Sequence, residues 1–174
     1  MAGRPVADVV SAVQRALGDG QAVQRLTGLR GSAPAYVLAR LLAAERRPVV
    51  ALLPDAAAAE TFVTELRFYL GEAGATNPLE RRVHLLPAWD VPPFEPLSPS
   101  REVLAARAEG LYHLLETPDP VIVTTPDGWG QRCVARDVFR AAVRYLVVGE
   151  RIGRDELAEA LIDWGYQHYG GKEA

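Results

Sequence analysis

The sequence is poor in cysteine and in long apolar runs, and each shortage limits what the protein can be. Cys133 is its only cysteine, which excludes an internal disulfide framework and a multi-cysteine metal site and is typical of a reducing compartment. No apolar run approaches the roughly 20 residues that span a bilayer, and the first twelve residues contain Asp8 instead of a long apolar signal core. We therefore expect a cytoplasmic protein with no membrane partner.

An excess of positive charge is also missing. The 174 residues carry a net charge of -3, so the overall field does not attract the phosphate backbone of nucleic acids. Hydrophobic residues make up 49% and charged residues 24%, which excludes a disordered or fibrous chain. The length suits one domain, or one domain with a small appendage, around a real hydrophobic core.

Apolar periodicity alternates between strand and helix along the chain. Short runs rich in β-branched residues predict strands, and apolar residues three or four apart predict helices with one buried face. The predicted strands are 22–26, 49–53, 83–86, 121–125 and 143–148. The predicted helices are 5–17, 33–45, 56–70, one from Ser98 or Ser100 to 116, a turn opened by 126–127, and 154–164.

Segments 49–55 and 121–127 repeat one pattern, a buried strand followed by Pro-Asp and a helix, with Asp55 and Asp127 expected as helix caps. Strands and helices that alternate at this spacing imply right-handed crossovers and a parallel sheet, so the fold class is α/β. Five prolines within 87–99 exclude a regular helix or a central strand there.

A glycine-containing loop from Gly28 to Ala35 lies between the predicted strand 22–26 and a helix, where an open α/β sheet binds phosphate. A working P-loop reads G-x-x-x-x-G-K-[ST], in which amides and lysine hold the phosphates and the hydroxyl holds magnesium. Counted from Gly28, through Gly31 and Ser32, these last three positions are Ala33, Pro34 and Ala35. We expect no bound nucleotide here, and the spacing alone favours a plain glycine-rich turn over a decayed P-loop.

A resemblance covers most of the chain, from about residue 22 to 170. The segments that carry it are TGLRGSA at 27–33, WDVPPFEPLSP at 89–99, GQR at 130–132, GERIGRDEL at 149–157 and GY at 165–166. In this order they resemble the opening of the bacterial transcription-repair coupling factors, the Mfd family, whose N-terminal module is similar to UvrB and has a degenerate nucleotide loop.

The resemblance implies a RecA-like (P-loop NTPase-type) parallel sheet flanked by helices, with the start of a small second α/β domain. It implies an N-terminal helix over 1–20 and a degenerate RecA-like domain, similar to domain 1a of UvrB, over 21–145. Residues 146–174 are then the truncated start of a small domain of the UvrA-binding type. The segment 89–99 has no room for the β-hairpin with which UvrB clamps damaged DNA.

The resemblance also implies the partners. UvrA contact in the family uses basic residues of the small domain, and the candidates are Arg151 and Arg154, with Gln167 where a basic residue fits better. RNA polymerase and DNA, and the ATP and magnesium of the motor, belong to the rest of the full-length family protein. For this chain we therefore expect no catalytic residue, no cofactor and no metal.

The leading hypothesis is a non-catalytic module of transcription-coupled nucleotide excision repair, which recruits UvrA and regulates the ATP-dependent DNA translocase of the full-length protein. Two alternatives stay open. One is an active nucleotide-binding domain of a UvrB-like helicase, in which another lysine or arginine substitutes for the missing one. The other is an accessory DNA-binding domain, which the acidic balance disfavours.

Other residues with chemical potential favour ordinary structural roles. His84, His113 and His168 lie far apart in sequence, so we assign them no metal or catalytic function. Cys133 has no nearby histidine to activate it and is expected to be a small buried hydrophobe. Trp89 and Phe94 favour a loop pinned to the core over an exposed docking surface.

Overall fold

A computed structural model describes residues 6–77, 80–92, 94–143, 146, 148–149, 151–163 and 166. The chain forms two compact units, Met1–Arg132 and Cys133–Ala174, and each is described by itself. The predicted division at residue 145 stays a prediction.

The first unit contains a parallel three-stranded sheet with helices on both faces. Its elements in chain order are α1 Val6–Gly18, α2 Ala33–Ala44, β1 Val49–Leu52, α3 Ala56–Leu70, β2 Val83–Leu86, α4 Arg101–Glu116, β3 Val121–Thr124 and α5 Pro126–Gly130. The strand order is β1-β3-β2, and Val121 of β3 pairs with Val49 on one side and Val83 on the other. The predicted α/β fold class, a parallel sheet flanked by helices, is confirmed.

The described part of the second unit contains two helices, α6 Arg136–Ala142 and α7 Arg154–Asp163. The sequence did not predict α6, which is short and has no buried residue. Helix 154–164 is confirmed over α7, and Trp164 lies outside the described residues.

Polar side chains close the first turn of several helices. Asp55 Oδ1 accepts a hydrogen bond of 2.8 Å from the amide of Ala58, so Asp55 caps α3 as predicted. At α5 the cap is Thr125, whose Oγ1 accepts from the amide of Gly128, and Asp127 lies inside the first turn. The prediction that Asp127 caps this helix was wrong because the hydroxyl one residue before the proline takes that position first.

Two predicted strands differ from the structure. Residues 22–26 are not a strand; Val23 is 84% exposed, and the polar Gln24 and Arg25 leave too little apolar surface to add a strand to the sheet. The predicted strand 143–148 lies partly outside the described residues. Among its described positions, Val143 is the C-cap of α6 and Val148 lies in a turn. These positions are therefore not part of a strand.

The apolar core lies between the sheet and helices α2 and α3. It is formed by buried alanine, valine and leucine side chains, namely Ala35, Ala39, Leu42, Ala59, Val63, Leu66, Val83, Val121 and Val123. The central strand β3 is buried on both faces, as predicted for a parallel strand. The edge strand β1 is not, because Val50 and Leu52 are exposed on the face opposite this core.

Candidate functional site

The loop from Gly28 to Ala35 forms a tight turn into α2. Gly28 and Gly31 adopt φ angles of 80° and 54°, which favour glycine, and the amide of Ala33 donates to the carbonyl of Arg30 at 3.1 Å. Pro34 has no amide hydrogen. Two of the amides at the start of α2 are therefore withheld from a ligand, because one bonds within the turn and the other does not exist.

Ala35 stands where a P-loop has its magnesium-binding hydroxyl, and it is fully buried in the apolar core. The position therefore serves packing between α2 and its neighbours. A hydroxyl there would lie among methyl groups with its donor to satisfy, which costs about 1–3 kcal/mol when no partner is found. The loss of the P-loop pattern at this position is thus tied to the stability of the fold.

The loop also contacts the end of α3 that is remote from β1. Ser32 Oγ lies 2.8 Å from the hydroxyl of Tyr69, and the Tyr36 and Tyr69 rings meet edge to face at 5.2 Å. α3 begins just after the carboxyl end of β1, and its last turn, which contains Tyr69, lies near the opposite, amino edge of the sheet. There the guanidinium of Arg67 donates to the carbonyl of Val83, the first residue of β2. The expectation that this loop follows a strand at the carboxyl edge of the sheet was therefore wrong, because 22–26 forms no strand to place it there.

The two arginines proposed to contact UvrA both lie in the second unit. Arg154 is the first residue of α7, Arg151 precedes it by three residues, and both side chains are exposed. Gln167, the third candidate, lies outside the described residues. The structure thus leaves both described guanidinium groups accessible.

The carboxyl edge of β2 and β3 is organised by a buried arginine of α4. Arg107 Nη1 donates to the carbonyl of Pro87 and, at 3.3 Å, to Oε1 of Gln131. Its guanidinium also lies 4.3 Å from the centre of the Trp89 ring, and Gln131 Oε1 accepts the amide of Trp89 at 2.8 Å. One buried cation therefore ties the start of the proline-rich segment to the loop after β3. Nothing in the sequence pattern identified Arg107, because its partners are 20 and 24 residues away.

The proline-rich segment is closed at its base and exposed at its tip. Both carboxylate oxygens of Asp90 accept the amide of Ser100, at 3.1 and 3.2 Å. Hydrogen bonding from the Ser100 side chain, and to a lesser degree from this amide, lowers the pKa of Asp90. Trp89 is partly buried and held by Arg107, as predicted for a pinned loop. Phe94, by contrast, is 98% exposed, so the pinning predicted for it was wrong. Phe94 lies in a turn, closed by the hydrogen bond from the amide of Glu95 to the carbonyl of Pro92, that leaves the Phe94 side chain in solvent.

Two histidines that are distant in sequence meet between β2 and α4. His84 of β2 and His113 of α4 stack at 3.7 Å between ring centres, and Glu109, one helical turn before His113, accepts from His84 Nδ1 at 2.9 Å. This hydrogen bond lowers the pKa of Glu109, while burial, together with the nearby His84, lowers the pKa of His113 from 6.5 to about 4. The sequence analysis missed this cluster. The i, i+4 spacing of Glu109 and His113 could have paired these two residues, but it carries no signal for His84.

Three potential metal ligands thus lie within 4.8 Å of one another, in His84, Glu109 and His113. The geometry favours hydrogen bonding over metal binding. Both ring nitrogens of His84 lie against oxygen acceptors, the carboxylate of Glu109 and the carbonyl of Arg81, each at 2.9 Å. Stacked parallel rings also cannot direct their in-plane lone pairs at one ion.

Cys133 is exposed, so the prediction of a buried hydrophobe was wrong. It is the first residue of the second unit and precedes α6, where little apolar surface is available to cover it. Among the described residues, no helix combines the length and the apolar character that a bilayer crossing requires.

Comparison with known proteins agrees with the resemblance. The chain is 36% identical over 167 residues to the transcription-repair-coupling factor of Myxococcus xanthus, covering 95% of this chain and 13% of that protein. It is 26% identical over 146 residues to the transcription-repair-coupling factor of Escherichia coli (strain K12), covering 83% of this chain and 12% of that protein. The chain therefore spans about an eighth of the length of these relatives, and no protein-family model matches it. The chain is a homologue of one region of the transcription-repair-coupling factors, the Mfd family.

Proposed function

We infer that this chain is a non-catalytic interaction module of a transcription-repair-coupling factor, and that it recruits UvrA and regulates the ATP-dependent DNA translocase of the whole protein. Its relatives carry the coupling function in their name, and the chain matches only a part of them. RNA polymerase and DNA are then partners of the remaining sequence of the whole protein.

One observation carries the non-catalytic part of the proposal, namely the loop from Gly28 to Ala35. Pro34 removes both the cation and an amide, and Ala35 replaces a magnesium ligand with a core methyl group. Lys172 is the only lysine in the sequence, so a substitute cation would have to be an arginine such as Arg30 of the loop. Without the lysine and the hydroxyl at their P-loop positions, the loop lacks the two groups that neutralise a triphosphate in a working P-loop.

The UvrA part of the proposal is supported by the exposure of Arg151 and Arg154 in the second unit. Two guanidinium groups three residues apart offer charge-assisted hydrogen bonds to carboxylates of a partner. Their pairing in an interface is expected to contribute more to affinity than exposed pairs on a free surface do.

Binding of the chain to immobilised UvrA tests the proposal. Replacing both arginines, Arg151→Ala with Arg154→Ala, is expected to weaken binding by about tenfold or more, as the loss of desolvated charge pairs does. Arg40→Ala removes an exposed arginine from α2 in the first unit and is the matched control, with no expected change. Binding that is absent both for the chain and for a whole transcription-repair-coupling factor that contains it contradicts the proposal, as does equal weakening by Arg40→Ala.

A further inference from the structure

An open cleft of about 600 Å³ lies at the carboxyl edge of β2 and β3. It includes no residue of the loop from Gly28 to Ala35 and neither Arg151 nor Arg154. One wall is the start of the proline-rich segment, including Trp89 and Pro92, and the other is the loop and short helix after β3, including Pro126. In open α/β sheets, ligands bind at this edge, outside the carboxyl ends of the strands. The cleft therefore lies where this fold offers a binding site.

The walls of the cleft are held rigidly. Arg107 bonds to both of them, through the carbonyl of Pro87 on one side and Gln131 on the other. Gly128 leaves no room for adjustment, since a Cβ there would lie 2.6 Å from Thr124 Oγ1 and 2.9 Å from the carbonyl of Leu86. A preorganised cleft loses little conformational entropy when a ligand binds.

The chemistry of the lining selects the charge of the ligand. Ala88, Val91 and the two prolines give it apolar surface, while Asp90 and Asp127 bring two exposed carboxylates. Among the described residues that line it there is no basic side chain. The buried cation behind it, Arg107, is engaged by carbonyl oxygens and by the Trp89 ring. The cleft thus disfavours phosphates and nucleic acid and complements a cation with an apolar stem or apolar neighbours.

The rim of the cleft adds apolar surface on the same segment. Phe94 follows the lining residue Pro92 by two positions, in a turn closed by the amide of Glu95, and Leu97 follows it. Both side chains are exposed, Phe94 by 98% and Leu97 by 60%, so two apolar residues lie close together in sequence on the segment that forms this wall. Between Pro87 and Ser100 the only charged residues are Asp90 and Glu95, so the rim has the same sign as the cleft.

We propose that this cleft binds an extended segment of a partner protein, with one arginine or lysine between the carboxylates of Asp90 and Asp127 and apolar residues against the proline-rich wall. The charge and the apolar surface together identify the occupant as a basic-apolar peptide. This inference does not depend on UvrA recruitment, because it concerns other residues in the other unit.

A capped hexapeptide with one central arginine flanked by leucine and proline is the probe, titrated into the isotope-labelled 174-residue chain and followed by amide chemical shifts. We expect saturable shifts at Trp89, Val91 and Gln131 with a dissociation constant of roughly 0.1–1 mM, which is ordinary for so small a contact. The same peptide with citrulline, which is isosteric and uncharged, is expected to bind about fivefold more weakly or worse.

Two variants separate a local charge contact from the general field of an acidic protein. Asp127→Asn is expected to weaken binding of the arginine peptide about fivefold, because it removes one of the two carboxylates that line the cleft. Glu60→Gln removes one exposed carboxylate from α3 and is expected to leave the affinity unchanged. Asp127 caps no helix, so its replacement is expected to keep the fold, which the dispersion of the same spectra checks.

Four results overturn the proposal. They are the absence of shifts at about 5 mM peptide, which is at least about fivefold above the expected constant, equal affinity for the citrulline peptide, equal weakening by Glu60→Gln, and displacement of the peptide by a single-stranded oligothymidine. The last result assigns the surface to nucleic acid.

Discussion

The two faces of the three-stranded sheet are covered in different ways. Helices α2 and α3 cover one face with alanine, valine and leucine, and that face has the ordinary apolar core of an α/β domain. The other face, which packs against helix α4, adds buried polar groups to buried apolar ones such as Ile122. Arg107 and His113 come from α4, and His84 and Thr124 come from the strands. The difference separates two tasks: the apolar face supplies the free energy of folding, while the polar face fixes the positions of loops at the sheet edges.

The largest expected effect lies on the apolar face. Leu66 of α3 is fully buried, and Leu66→Ala leaves a cavity among close-packed side chains. We expect it to lower the free energy of unfolding by about 3–4 kcal/mol, measured by urea denaturation. Leu52→Ala is the control, because Leu52 is exposed on β1 and its replacement is expected to cost far less. Equal losses for the two variants contradict the assignment of the core to this face.

The second-largest expected effect is on the polar face, where replacing Arg107 is expected to lower the overall stability and to loosen one loop. Arg107→Met keeps much of the side-chain volume but removes the hydrogen bonds to Pro87 and Gln131. We expect a loss of about 2–3 kcal/mol in the free energy of unfolding. Faster hydrogen exchange at the Trp89 amide distinguishes a loosened loop from a general destabilisation. Arg107→Lys, which can reach one acceptor, is expected to recover part of both effects, and an unchanged Trp89 amide in Arg107→Met contradicts the pinning role.

The stacked histidines make the polar face sensitive to acid. The pKa of His113 is lowered in the fold from 6.5 to about 4, so the unfolded chain binds more protons between these pH values and stability falls as pH falls through this window. The lowered pKa of Glu109 adds a loss of the same sign at still lower pH. We expect about 1–2 kcal/mol between pH 7 and 4 after allowance for solvent screening. His113→Gln is expected to flatten the pH dependence of urea midpoints, and an unchanged slope contradicts the assignment.

The smallest effect compares the two helices that follow Pro-Asp. Asp55→Ala removes the acceptor for the Ala58 amide and is expected to cost about 1 kcal/mol in thermal unfolding. Asp127→Ala is expected to cost almost nothing, because Thr125 is the cap of its helix. Thr125→Ala is expected to lower the stability by about as much as Asp55→Ala does, because each replacement removes the cap of one helix. A larger loss for Asp127→Ala than for Thr125→Ala contradicts this assignment.

The apolar face was largely predictable from the sequence, and the polar face was not. The runs 49–53 and 121–125 predict strands and Asp55 predicts a helix start, because these signals are local. Burial on both faces was correct for the central strand only, since a run of apolar residues does not tell an edge strand from a central one. The stacking of His84 on His113 depends on a contact 29 positions apart in sequence, and the hold of Arg107 on Pro87 depends on one 20 positions apart. No local period encodes such pairs.

For the loop from Gly28 to Ala35, the sequence also predicted the local chemistry but not the tertiary contacts. The chemical deficit at Ala33, Pro34 and Ala35 could be read directly from the residue types. The surroundings of the loop could not, because its contact with Tyr69 depends on how α2 packs against α3. The exposure of Phe94 was missed for a related reason: hydrophobicity favours burial, whereas the turn between Pro92 and Glu95 leaves this side chain in solvent.

The loop from Gly28 to Ala35 lacks the P-loop lysine and hydroxyl, and isothermal titration calorimetry with ATP and magnesium measures the consequence. We predict no binding heat at ATP concentrations up to about 1 mM, because neither of these groups stands at its P-loop position. A dissociation constant in the micromolar range, abolished by a bulky substitution such as Gly31→Trp, would contradict it.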